Sequence, residues 1–203
     1  MGIRAVIFDL GKVVLDFDHA IAAKKISRLT DKSPEEIYSL FFDSRLIQVF
    51  EEGKISPEDF FSEIKRMLSL PLGFPEFMAI WNEIFFQTEQ NRQVYRLARA
   101  LKGRYTTALL SNVNRLHFEY VYASFDVFDA FDFLLLSYKL GCVKPSPEIY
   151  HRALSIIGTA PEATFYVDDR PELIMQAHKL GFRAFVYQGI EQLTKDLASC
   201  GIQ

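Results

Sequence analysis

Five short apolar runs recur along this chain, at Arg4 to Phe8, Thr106 to Leu110, Phe133 to Leu136, Thr164 to Val167 and Ala184 to Tyr187, with helically spaced segments between them. Runs this short and this apolar predict strands buried on both faces. Their alternation with helices predicts an α/β fold: a Rossmann-like parallel sheet covered on both sides. Hydrophobic residues are 49% of the 203, enough for a substantial core.

The interval between the first two strands is unusually long, from about Asp18 to Thr88, and shows helical patterning without a competing strand pattern. Ser33-Pro34-Glu35-Glu36 and Ser56-Pro57-Glu58-Asp59 each combine an N-cap serine, a proline in the first turn and acids that complement the helix dipole. Gly53, Pro71, Gly73 and Pro75 break the interval into about four short helices. This predicts an inserted helical-bundle cap over residues 16–88 on a core made of residues 1–15 and 89–203. A helix from Glu89 to Leu101, closed by Gly103, returns the chain to the sheet. The two connections, near Leu15 to Asp18 and Gln87 to Asn91, are where a cap would hinge.

Charge narrows the partners. The formal net charge is -3, which gives no basic footprint for nucleic acid. The N-terminal apolar run is too brief for a signal peptide or a membrane span. The expectation is therefore a soluble, cytoplasmic protein, in which Cys142 and Cys200 lack metal-type spacing and a reduced compartment would leave them as thiols. Oligomeric state is not legible here.

What the strand ends carry matters more. Asp9 closes the first strand before a glycine. Alone, that pattern serves ordinary turns equally well. The second strand, however, ends Leu110-Ser111-Asn112, Lys144-Pro145 follows the third, and the fourth ends Val167-Asp168-Asp169-Arg170. In an open parallel sheet, ligands bind at the carboxyl ends of the strands near the switch in strand order. A carboxylate attacks a phosphate dianion only when charge between them is neutralised, so a divalent cation is expected. Magnesium suits hard oxygen ligands, and adjacent acids such as Asp168 and Asp169 are costly without a cation nearby. Lys144 and Ser111, with main-chain N–H groups of the turns, would bind phosphoryl oxygens.

The run Phe8-Asp9-Leu10-Gly11-Lys12-Val13-Val14, the Leu110-Ser111-Asn112 strand end, Lys144-Pro145 with Pro147-Glu148-Ile149-Tyr150, and Val167-Asp168-Asp169 together resemble the four ordered motifs of the haloacid dehalogenase-like hydrolases. Asp16-Phe17-Asp18, the Phe50 to Ser56 segment and Leu110 to His117 extend the likeness to the α-D-glucose-1-phosphate phosphatase branch. The resemblance implies a C1-type cap and a Mg2+-dependent phosphatase acting on a small phosphorylated metabolite, such as a sugar phosphate, through an aspartyl-phosphate. Asp9 would be nucleophile and metal ligand, and the backbone carbonyl of Gly11 a further ligand. Asp169 and Asp168 would bind metal directly or through water, and Ser111, Asn112 and Lys144 would hold phosphate.

Gly11 departs from the pattern of most phosphatases of that superfamily, which carry there an aspartate that protonates the leaving group and activates water. Lys12, Asp16, Asp18 or a bound water would have to assist. The departure leaves a slow or non-catalytic binding or regulatory protein as the alternative, followed by a haloacid dehalogenase or a phosphomutase; the paired acids weigh against the dehalogenase. Phe41, Phe42, Phe50, Phe60, Phe61, Phe74, Phe77, Trp81, Phe85 and Phe86 read mostly as cap core. Glu52 and Lys54 are either loop residues over the site or a solvated turn. Arg115 either meets substrate or pairs with a surface acid, and Arg170 either orders the fourth-motif acids or is exposed. His19, His151 and His178 read as structural or surface residues.

Overall fold

The computed structural model describes residues 2–42 and 44–203, without the side chain of Phe42. Seven strands and eleven α-helices follow in chain order: β1 Ala5–Phe8, β2 Asp16–Phe17, α1 His19–Ile26, α2 Pro34–Phe42, α3 Arg45–Glu51, α4 Pro57–Leu68, α5 Phe74–Asn82, β3 Phe85–Phe86, α6 Glu89–Leu101, β4 Thr106–Ser111, α7 Arg115–Ser124, β5 Phe133–Leu136, α8 Ser137–Leu140, α9 Pro147–Ile157, β6 Thr164–Asp168, α10 Pro171–Lys179, β7 Arg183–Val186 and α11 Ile190–Ser199.

The main sheet is parallel throughout, in the order β5-β4-β1-β6-β7. The chain builds outward from β1 on one side and then returns to the other, so the order reverses beside β1. Alternation fixes its two faces. Val6 and Phe8 pack with Val94 of α6 and Leu193 of α11, while Ile7 packs with Ile149 and Tyr150 of α9 and Ile174 of α10. Phe8 aligns with Leu109 and Val167, so the next residue, Asp9, emerges level with Leu110 and Asp168.

Helices α1 to α5 enclose their own apolar cluster, in which Phe41, Phe50, Phe60, Phe61, Phe77 and Trp81 are buried and Leu116 of α7 takes part. The serine starts behave as expected. Glu36 N–H donates to Ser33 Oγ at 3.2 Å and Asp59 N–H to Ser56 Oγ at 3.0 Å. Each such cap is worth about 1 kcal/mol.

Several details differ from the sequence reading, including strand ends shifted by a residue at Ala5, Ser111 and Asp168. Five α-helices fill the inserted stretch instead of about four. Phe85–Phe86 forms a strand where none was expected, antiparallel to Asp16–Phe17, since two residues are too few to show a period. The last strand of the sheet runs from Arg183 to Val186, one residue earlier than read. No helix among the described residues is long and apolar enough to cross a membrane.

Candidate active site

The sheet delivers the acids to one point. Asp9 N–H donates to Val167 O at 2.9 Å, which continues the β1–β6 ladder and sets the first carboxylate beside Asp168. One carboxylate oxygen from each of Asp9, Asp168 and Asp169 lies within 4.8 Å of the others.

Lys144 enters from the loop after α8. Its buried Nζ donates to Asp9 Oδ1 at 2.7 Å, Asp168 Oδ2 at 2.6 Å and Leu110 O at 2.9 Å, which uses all three ammonium protons. Burial acts to lower its pKa, but the Asp9 and Asp168 carboxylates outweigh that and hold it above the usual lysine value. The loop is fixed by Asn112, whose Oδ1 accepts from Lys144 N at 2.8 Å while its Nδ2 donates to Lys144 O at 2.9 Å. The Asn112 side chain is thus engaged with the lysine loop, which leaves its main chain for any phosphate contact.

Asp168 is saturated by protein. Its Oδ2 accepts from Lys144 and from the Tyr166 hydroxyl, and its Oδ1 accepts from Arg170 N at 3.0 Å. Asp169 is only half-buried and lines the cleft, with its pKa raised by burial and by the adjacent Asp168. Asp9 is pushed up to about 7, first by burial, against the lowering pull of Lys144. Three carboxylates around one buried ammonium carry more negative charge than it balances. A set of hard oxygen donors with that deficit fits a divalent cation such as magnesium.

The cleft measures about 230 Å³, and Asp9, Gly11, Ser111, Asn112, Lys144, Asp169 and Arg170 line it. Ser111, at the end of β4, is buried there. The far wall comes from the inserted helices and their ribbon: Phe17, His19, Ile47, Glu51 and Phe85.

Several sequence candidates fall elsewhere. Lys12 Nζ donates to Asp16 Oδ1 and to Phe17 O, each at 2.5 Å. Asp18 caps α1 by accepting from Ala20 N at 2.9 Å. Arg115 pairs with Glu119 at 2.7 Å on the surface. Glu52 pairs with Lys54 at 2.7 Å, and neither residue lines the cleft; the acid that does is their neighbour Glu51. Arg170 combines both of its readings, since its N–H orders Asp168 while its exposed guanidinium pairs with Glu172 at 2.6 Å.

Sequence reasoning missed Glu51, Tyr166 and His117. Glu51 had a signal, because it precedes a Glu-Gly pair at a helix end. His117 is buried; its Nε2–H donates to Trp81 O at 3.2 Å and its Nδ1 accepts from Asn114 Nδ2 at 3.1 Å, which fixes the neutral tautomer. Its ring stacks on Trp81. His19, read as structural or surface, is a cleft residue packed 4.6 Å from the Phe17 ring.

A parallel sheet with reversed order beside a central strand, and a carboxylate-lined cleft at its carboxyl ends beside a mainly helical insertion, defines a Rossmann-like α/β protein whose oxygen donors suit a cation. Residues 3–181 match the family described as "Hydrolase: haloacid dehalogenase-like hydrolase", and the chain belongs to that family. It is 28% identical to the D-ribitol-5-phosphate phosphatase of Bacteroides thetaiotaomicron, over 90% of this chain and 91% of that protein. It is 26% identical to the sesquiterpene phosphatase of Aspergillus oryzae, over 97% of this chain and 93% of that one. A solved HAD family enzyme of B. thetaiotaomicron, in complex with magnesium and inorganic phosphate, superposes with a TM-score of 0.81 at 26% identity, covering 92% of this chain and 95% of that one.

Proposed function

We propose that this protein is a magnesium-dependent phosphatase that hydrolyses a small phosphomonoester through an aspartyl-phosphate on Asp9. The observation that carries the reading is the cluster of Asp9, Asp168 and Asp169 around the Lys144 ammonium, at the open end of the central strands.

Asp9, Asp169 and the carbonyl of Gly11 would hold the cation, with Asp168 behind them positioning Lys144. The cation, when bound, supplies charge neutralisation between the carboxylate nucleophile and the phosphoryl oxygens. Lys144 keeps Asp9 Oδ1 fixed and favours its ionised form against burial, so the other carboxylate oxygen attacks phosphorus along a defined line. Ser111 Oγ and the main chain at Asn112 bind the transferred phosphoryl group, and the Lys144 ammonium, held by Asp9, Asp168 and Leu110 O, adds its positive charge beside it. Attack forms the Asp9–phosphorus bond and releases the alcohol; water then attacks the same phosphorus, freeing phosphate and regenerating Asp9. Residues 16–88 act as the cap that closes over this chemistry.

A cleft of about 230 Å³ lies below the roughly 300–1,000 Å³ of pockets for drug-sized ligands, which supports a short polar ester such as a polyol or sugar phosphate over a long isoprenoid chain. The test is phosphate release from p-nitrophenyl phosphate and a panel of sugar and polyol phosphates, with and without magnesium, for wild type and Asp9→Asn. Magnesium-dependent turnover that Asp9→Asn abolishes is the expected result. Identical background rates for the two proteins on every ester would refute the reading.

A further inference from the structure

We propose that Glu51 is the proton-transfer residue of this site: its carboxyl protonates the departing alkoxide and then takes the proton of the attacking water. The proposal rests on the phosphatase reading above and deepens it.

Elimination is the first support. Among the described residues, the acids lining the cleft are Asp9, Asp169 and Glu51. Asp9 and Asp169 belong to the cation cluster. The acids nearest Gly11 in sequence are already engaged, Asp16 with Lys12 and with Phe17 N, and Asp18 with the start of α1. Glu51 therefore stands as the remaining cleft carboxyl, supplied by the inserted helices and not by the sheet that carries the nucleophile.

Placement is the second. Glu51 ends α3, and its carbonyl accepts from Ser137 Oγ at 2.7 Å; the same hydroxyl accepts from Val113 N at 2.9 Å, two residues beyond Ser111. One buried hydroxyl thus joins the acid's backbone to the phosphate-binding turn. Gly53 secures the next turn. It sits at φ +68, and a Cβ there would lie 2.2 Å from Tyr138 O, so the backbone after Glu51 lies flush on the core. An acid that must meet a reacting oxygen needs such a fixed base.

Burial supports the same assignment. It raises the Glu51 carboxyl to about 7, against the lowering influence of Arg170 and Lys144. The other titratable groups around the cleft are Asp9, Asp169, His19 and His117, and burial keeps both histidines neutral near pH 7. An acid poised near neutrality gives and takes a proton with comparable ease. In the first half-reaction the P–O ester bond breaks as Asp9 bonds to phosphorus, and the Glu51 proton goes to the alkoxide. In the second, water bonds to phosphorus, the Asp9–phosphorus bond breaks, and the water proton returns to Glu51.

The test uses Glu51→Gln, similar in shape but unable to exchange the proton. Two esters are compared: p-nitrophenyl phosphate, whose phenolate leaves unaided, and the alkyl phosphate that wild type hydrolyses best. The expected result is a loss of about 10²- to 10⁴-fold in kcat on the alkyl ester. On the aryl ester a burst of p-nitrophenol stoichiometric with enzyme should precede a slow phase, with phosphorylated Asp9 seen by mass spectrometry. Glu51→Asp should recover part of the phosphoenzyme decay. Wild-type rates on both esters, a raised KM with unchanged kcat, or equal loss on both esters without trapped phosphoenzyme would overturn the proposal while leaving Asp9 as nucleophile. If wild type and Asp9→Asn are equally inert on every ester, the phosphatase reading itself fails and the role of Glu51 falls with it.

Discussion

The ring of Phe17 occupies the space that a side chain at Gly11 would need: a Cβ on Gly11 would lie 2.6 Å from Phe17 Cε1. Phe17 is itself held against His19 and Phe85, with ring centroids at 4.6 and 6.2 Å. The missing aspartate and the phenylalanine are two sides of one packing solution. Gly11→Asp should therefore fail to raise turnover and should destabilise the protein by about 1–3 kcal/mol, as overpacking does. Thermal melts and p-nitrophenyl phosphate kinetics check this. Adding Phe17→Ala to Gly11→Asp should recover stability relative to the single variant.

Lys144 is the buried partner of two carboxylates, and its removal leaves both uncompensated. Lys144→Met, compared with wild type in chelator, should lose about 3–5 kcal/mol. For a chain of this size that is a fall of roughly 10 °C in Tm. Magnesium should restore more stability to the variant than it adds to wild type, because the cation then meets charge that no ammonium balances. Differential scanning calorimetry with and without the metal measures both quantities.

Ser137 is buried and serves three main-chain groups: Glu51 O, Val113 N and Val113 O. Ser137→Ala should cost about 1–3 kcal/mol, since it strands a donor and an acceptor. It should also slow both esters through the phosphate-binding turn at Val113, and the alkyl ester more, because only that ester needs the proton of Glu51. A matched pair of kcat measurements decides the point.

Acid should act on His117. Burial lowers its pKa to about 3, from 6.5 in an unfolded chain, so the unfolded state binds the proton more readily. Its contribution to stability is complete above pH 6.5 and declines as pH falls toward 3, by roughly 2 kcal/mol between pH 7 and pH 5. The raised carboxyls of Asp9 and Glu51 act in the opposite sense over this range. The informative quantity is thus the difference between wild type and His117→Gln in urea unfolding at the two pH values. The variant should lose less stability on acidification than wild type.

Most of the sheet could be read from the sequence because each strand is a short apolar run ending in a polar residue. The convergence of Asp9, Ser111 and Asp169 followed from those ends, and that of Lys144 from the segment after the third strand. What escaped depends on contacts distant in sequence. Nothing near Glu51 reveals that Ser137 tethers it, and the pairing of Phe17 with Gly11 is a matter of shape. The Glu52–Lys54 pair drew attention because charge in a loop suggests a ligand, yet the two residues satisfy each other. Tyr166 reads as an ordinary strand aromatic until Asp168 is seen to accept its hydroxyl.

The hydroxyl of Ser137 also marks where the inserted helices are fastened to the sheet. With α3 latched at its last residue, Gly53 pressed on Tyr138 and Trp81 of α5 stacked on His117, the insertion is tied to the core at two of its helices. A different alcohol can then be met by exchanging cleft-lining side chains such as Phe17 and Ile47, without moving the backbone that carries Glu51.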